Sequence, residues 1–221
     1  VGVCEYDERW VYASKYSRNL DIEKPADLPD DLPYVVVIIT EMDHDNLQAA
    51  PSVLGSASTG YAYSQQATAV MSLAQYISNL GYLAVACIND TALSVPLAVQ
   101  AGLGEYGRLG LLITKEFGPR VRISKIFTDL PLQVDKPIKF GVQEFCRICF
   151  SCSTYCPMRA IPTGEPSLET HSISNSCGVK KWTVDVEKCF EMWANQGTDC
   201  SICIRVCPYN MDYTKWHHRI G

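Results

Sequence analysis

Positive charge is in short supply. Lysine and arginine number 19 against 24 aspartate and glutamate residues, a formal net charge of −5, and no basic run occurs. The electrostatic footprint of a nucleic-acid binder is therefore missing. Long apolar runs are absent too: 47% of the residues are hydrophobic, yet no stretch approaches the roughly 18–20 consecutive apolar residues of a membrane span. Histidine is scarce, and His44, His171, His217 and His218 have no metal-binding spacing with a carboxylate. The His217–His218 pair reads as exposed. Cysteine is almost missing before residue 146, where only Cys4 and Cys87 occur. Lone thiols of that kind are usually buried. The chain opens on VGVCEYDERW, without Met, signal peptide or twin-arginine segment, and reads as a fragment or a processed piece.

Nine of the 11 cysteines fall between Cys146 and Cys207. A secreted disulfide framework spreads its cysteines through a shorter chain. Crowding at one end points to metal. Cys146-x2-Cys149-x2-Cys152-x3-Cys156-Pro157 is the run that holds a [4Fe–4S] cluster in bacterial ferredoxins. A cubane needs a thiolate at each iron, and the short loop supplies three from one side. The fourth cysteine of such a run ligates a second cluster. Cys200-x2-Cys203-x3-Cys207-Pro208 provides the matching motif, with Cys189 upstream. The expected sets are Cys146, Cys149, Cys152 and Cys207 for one cluster, and Cys156, Cys189, Cys200 and Cys203 for the other. Cys177 could replace Cys189. DVEKCFEMW can form a helix that presents a thiolate, whereas SNSCGV reads as a turn, so Cys189 is preferred. Zinc takes four thiolates as two separated hooks and does not explain a triple followed by Cys-Pro.

The first 140 residues read as an α/β or α+β layer. Residues 34–40, YVVVIIT, predict a buried strand. Residues 64–80 predict a helix capped by Ser64 and ended at Gly81, with Ala67, Val70, Met71, Ala74, Ile77 and Leu80 on one face. Strands follow at 82–88, 109–114 and 120–132, with a short helix at 94–103. Composition shifts near residue 140, which sets the expected domains at 1–140 and 141–221. The stretch AGLGEYGRLG carries Gly102, Gly104, Gly107 and Gly110 but is neither a dinucleotide fingerprint nor a P-loop.

Five segments then carry a resemblance: GYAYSQQA, LGYLAVACINDTALSVPLAVQAGLGEYGRLGLLITKEFGPRVR, KIFTDLPL, KFGVQEFCRICFSCSTYCP and GVKKWTVDVEKCFEMWANQGTDCSICIRVCPYN. In that order they cover most of residues 55–210, and the sequence resembles the corrinoid-dependent reductive dehalogenases. The resemblance implies a nitroreductase-like core holding base-off cobalamin, followed by a ferredoxin-like domain with two [4Fe–4S] clusters. It implies catalysis by Tyr63, Arg122 and Asn89, with Tyr61, Arg120 and Arg108 as near misses. Tyr63 would supply the proton, Arg122 would favour the phenolate and steady the leaving halide, and Asn89 would orient the tyrosine or substrate. The clusters would feed electrons singly to make Co(I), for two-electron loss of halide from an organohalide. Gly102 and Gly104 are the expected corrinoid contacts, with Lys181 and Trp182 behind them. An electron-donor protein or quinol-linked chain, a small membrane anchor protein and the outer face of the cytoplasmic membrane are also implied.

Two other readings share these features. Epoxyqueuosine reductase, a tRNA-modifying relative, shares AGLG and TDLPL, but it would want a basic surface and an acidic proton donor. A plain two-cluster electron carrier would need only the cysteine-rich end.

Overall fold

The computed structural model describes residues 1–17, 22–25, 28–29 and 31–211. The His217–His218 pair lies outside them. The chain is a mixed α/β protein. Its elements run β1 (Gly2–Glu5), β2 (Ser14–Ser17), β3 (Ile22–Pro25), β4 (Tyr34–Glu41), α1 (His44–Gln48), α2 (Val53–Asn79), β5 (Ala84–Cys87), α3 (Ser94–Gln100), β6 (Glu105–Tyr106), β7 (Leu112–Ile113) and β8 (Val121–Thr128). Four helices follow: α4 (Val142–Ile148), α5 (Ser151–Thr154), α6 (Val186–Gln196) and α7 (Ile202–Arg205).

The β-branched run at 34–40 becomes β4, a central strand in the order β1-β4-β8-β5. Its successive residues Val35, Val36, Val37 and Ile38 are all buried, as a strand covered on both faces requires. β1 and β4 pair antiparallel with Val3 opposite Val36, and β5 and β8 pair antiparallel with Ala86 opposite Ile126. Helix α2 packs Val70, Ala74 and Ile77 onto Val36, Ile38 and Ile126. Spacings of four and three place those residues on one helical face.

Helix α2 starts at Val53, well before Ser64. Gly55 and Gly60 each lower intrinsic helix preference by about 1 kcal/mol, so the local signal stops short of them. The inward row nevertheless continues at steps of four through Ser58, Ala62, Gln66, Val70 and Ala74, all buried. Ser52 Oγ accepts from the Gly55 N–H at 3.3 Å and caps the early start. Met71 and Leu80, expected inside, are exposed.

The chain forms two compact units, and neither is contiguous. One comprises Val1–Thr40, Ala62–Gly104 and Arg122–Ile138; the other comprises Glu41–Tyr61, Glu105–Val121 and Lys139–Gly221. The second unit holds all the clustered cysteines, but it also recruits two segments that lie before residue 140. Gly118 shows why. With φ +54°, it brings its backbone so near Tyr209 that a Cβ would fall 2.2 Å from the Tyr209 carbonyl oxygen. A composition shift along the chain detects only the contiguous part of such a unit.

Candidate active site and cluster loops

Tyr63, Asn89 and Arg122 all lie in the first unit, on α2, after β5 and in β8. The structure brings the three together. Asn89 Nδ2 donates to the Tyr63 hydroxyl oxygen at 2.6 Å. The Arg122 guanidinium carbon lies 5.0 Å from the centre of the Tyr63 ring, within the range of a cation–π contact. Asn89 is exposed and Tyr63 half-buried, so solutes can reach the group. The near misses lie elsewhere: Tyr61 is 65% exposed, and Arg120 pairs with Glu41 and donates to the Met42 carbonyl.

The turn carrying Asn89 is tied down on several sides. Asp90 accepts from the Ile88 N–H at 2.9 Å. Thr91 sits at φ +72°, a left-handed conformation that costs a non-glycine residue about 1–2 kcal/mol. Its carbonyl accepts from the Tyr12 N–H at 2.9 Å. Lys125 on β8 is fully buried, and its ammonium donates to the Ile88 carbonyl at 2.8 Å and to Ser94 Oγ at 3.0 Å. Lys125 thus clamps the residue before Asn89 to the helix after it. Nothing in SKIFT marks this lysine as inward-pointing and bonded, so the sequence alone does not single it out.

Burial lowers the Lys125 ammonium to about 8 from 10.5, against a smaller opposing pull from Cys87 and Asp90. The folded state therefore binds fewer protons than the unfolded state between those values. Its contribution to stability is fully present above about 10.5, and is lost as pH falls through about 8. Comparing the unfolding free energy of wild type with Lys125→Met from pH 8 to 10.5 is expected to show wild type gaining relative to the variant as pH rises.

The cysteines of the second unit gather as two sets. Cys146, Cys149, Cys152 and Cys207 line one cavity together with Leu109, Phe145, Pro208 and Tyr209. Burial pushes the Cys152 thiol up to about 11 and Cys207 up to about 12; Cys146 and Cys149 add to both shifts, and Cys152 adds to that of Cys207. Burial also raises Cys203, helped by Cys189, Cys152, Cys200 and Cys156. Cys189 is raised by burial and then by Cys156 and Cys200. Cys189 lies within α6, whose N-cap Asp185 accepts from the Lys188 N–H, and α5 and α7 pack on each other. Cys177 is exposed and outside any helix. Among the described residues no three or more His, Cys, Asp or Glu gather about one ion position. A zinc ion draws its sulfurs to about 2.3 Å, whereas a cubane spreads four thiolates over four irons. Buried thiolates that repel one another need a cationic iron–sulfur core between them to stay ionised, so the donor sets fit two iron–sulfur clusters.

The expected corrinoid contacts fit less well. Gly102 packs on its own unit, since a Cβ there would lie 2.7 Å from the Lys136 carbonyl oxygen. Gly104 is buried. Lys181 gives its ammonium to the Ser176 carbonyl and hydroxyl at 2.8 and 2.6 Å. Trp182 is buried and donates to the Gly164 carbonyl at 3.0 Å. The side chains of Lys181 and Trp182 are thus engaged with the chain itself. Gln66, one turn beyond Tyr63, is different: it is fully buried, and neither amide atom meets a partner among the described residues. An unpaired buried amide costs about 1–3 kcal/mol, and a polar group of a bound ligand would satisfy it. His44 and His171 each direct a ring nitrogen at a backbone carbonyl, of Asn210 and Thr183, at 3.1 Å.

No family model matches the chain. A tetrachloroethene reductive dehalogenase of Desulfitobacterium hafniense is 41% identical over 262 aligned positions, covering 100% of this chain and 47% of that protein. The chain belongs to the reductive dehalogenase family. The tetrachloroethene reductive dehalogenase of Sulfurospirillum multivorans is 37% identical, covering 95% of this chain and 47% of that protein. The chain thus spans about half the length of these relatives. Among solved structures, the catabolic reductive dehalogenase NpRdhA, in complex with 3-bromo-4-hydroxybenzoic acid, superposes with a TM-score of 0.85 at 29% identity, over 99% of this chain and 30% of that one. A reductive dehalogenase whose structure suggests a mechanism for B12-dependent dehalogenation matches equally, at 0.85 and 29%, over 99% and 31%. Epoxyqueuosine reductase with a tRNA stem loop shares the fold alone, with a TM-score of 0.54 at 15% identity, over 82% of this chain and 49% of that one.

Proposed function

We propose that this chain carries the catalytic trio and electron feed of a reductive dehalogenase. The organohalide takes up two electrons and one proton and leaves as the hydrocarbon and a halide ion. The observation behind this reading is the Asn89 bond of 2.6 Å to the Tyr63 hydroxyl, under an arginine. A phenol oxygen that accepts from Asn89 turns its own O–H elsewhere, where it can serve the carbon being reduced. When that proton leaves, the Asn89 N–H and the Arg122 charge stabilise the phenolate in place, with no reorganisation at the moment of reaction. Arg122 also offers the departing halide a cation. Solvent returns the proton to Tyr63.

The cofactors belong to the same proposal: a nitroreductase-like core with base-off cobalamin, and two [4Fe–4S] clusters on the thiolate sets above. When bound, a corrinoid supplies the reduced metal centre that delivers the electron pair, and the clusters supply electrons one at a time. A role as the terminal reductase of an anaerobic respiratory chain follows. Electrons would come from a donor protein or quinol-linked chain, with a small membrane protein anchoring the enzyme on the outer face of the cytoplasmic membrane. Among the described residues no helix is long and apolar enough to cross a membrane.

Halide release tests the reading. The full-length protein is loaded anaerobically with iron, sulfide and cobalamin, then given a reduced low-potential dye and chlorinated ethenes, ethanes and phenols. Chloride should appear with the dehalogenated product in equal amount. No chloride from any of them, despite bound cobalt and iron, would sink the proposal.

A further inference from the structure

Two of the three arginines between residues 108 and 122 are accounted for, by Tyr63 and by Glu41. Arg108 is not. It comes from the glycine-rich stretch, belongs to the cysteine-bearing unit and is 1% exposed. Among the described residues its hydrogen bonds go to carbonyls. Nε and Nη2 donate to the Cys146 carbonyl at 2.9 and 2.7 Å, and Nη1 donates to those of Pro162 and Gly164 at 2.8 and 2.9 Å. Its guanidinium lies 4.6 Å from the Phe150 ring centre and 4.9 Å from that of Trp182. Among the described residues no carboxylate comes within the 4.0 Å of an ion pair.

A buried unit charge without a counter-ion is strongly unfavourable. Carbonyl dipoles and ring faces ease the desolvation but leave the net charge in place. Negative charge is available at the thiolate set whose Cys146 carbonyl Arg108 grips, since Cys146 lines the cavity with Cys149, Cys152 and Cys207; the buried Glu105 carboxylate is committed to the backbone N–H groups of Phe140 and Val142. A four-thiolate cubane is an anion, and each electron it accepts from a one-electron donor adds one negative charge.

We propose that Arg108 is the fixed counter-charge of the cluster held by Cys146, Cys149, Cys152 and Cys207, and raises that cluster's reduction potential relative to the same site without it. Low local dielectric makes the effect large. Arginine suits the role because it stays charged at any working pH and its planar fork fills three carbonyls at once. The neighbouring Glu105 assists in another way: its carboxylate accepts from the N–H groups of Phe140 and Val142, at 2.5 and 3.2 Å, and holds the start of α4, which carries Cys146. The proposal rests on the cluster reading above.

An EPR-monitored redox titration of the full-length, iron-loaded protein tests it. Arg108→Gln should keep its iron while one of the two cluster midpoint potentials moves negative and the other stays. Arg108→Lys, which keeps the charge but not the fork, should leave both potentials near wild type. Full iron and unmoved potentials in Arg108→Gln would overturn the proposal. Should Arg108→Gln lose iron, Arg108→Lys decides alone: an unmoved potential upholds the counter-charge, and a negative shift at full iron overturns it. Iron loss in both variants also overturns it, and makes Arg108 a structural clamp. Absence of any [4Fe–4S] signal in wild type would instead sink the cluster reading itself.

Discussion

Tyr63→Phe is expected to slow halide release about 10²–10⁴-fold while leaving bound iron and cobalt unchanged. The substitution keeps the ring under Arg122 and removes only the oxygen that Asn89 bonds at 2.6 Å. A positioned general acid contributes about 10²–10⁴-fold, so kcat should fall by that order. KM should change little, because the lost interaction is with the transferring proton. Asn89→Ala should cost less, since Tyr63 keeps its proton and Arg122 its charge. Steady-state chloride release against substrate concentration reads both. A Tyr63→Phe protein that retained a tenth of the rate or more would show that the proton comes from another group.

Cys203→Ala should remove one of two clusters outright. Cys203 is raised by burial and then by Cys189, Cys152, Cys200 and Cys156, three of which form its expected ligand set. Loss of one thiolate leaves an iron without its protein ligand, so iron per chain should drop by about half, roughly four of eight. Cys189→Ala should do the same. Cys177→Ala should lose none, because Cys177 is exposed, lies outside any helix and has its charge facing Lys181. Iron and sulfide analysis of the three variants settles which cysteine closes the second set. Loss of iron in Cys177→Ala, with Cys189→Ala intact, would reverse the assignment. Halide release should fail along with the cluster, since the electron path would be broken.

The glycine-rich stretch shows what spacing leaves out. In GEYGR the glycines are visible in the sequence and the partners of the residues between them are not. In the fold, Glu105 holds the start of α4, Tyr106 donates to the Trp182 carbonyl at 3.1 Å, and Arg108 grips the Cys146 carbonyl. Side chains between the glycines, charged and uncharged, carry contacts with the cysteine segment. Trp182, an expected cofactor contact, has its ring face beside the Arg108 guanidinium. Neither could be read from spacing, because each partner lies tens of residues away.

What the sequence determined by itself was local. Cysteines two and three residues apart can only form tight loops, since chain length limits their reach, and the valine run at 35–37 can only be a covered strand. Helix α6 with Cys189 follows from Asp185 before it and Gly197 after it. What the tertiary structure decided was which distant groups meet. Asn89 and Tyr63 stand 26 residues apart, and a strand, a turn and a long helix must be packed before they touch. The division into two discontinuous units, the placement of the Arg122 guanidinium against the Tyr63 ring and the clamp by Lys125 arise the same way. Backbone propensity acts within a few residues, whereas burial and charge pairing select partners only once the core has closed.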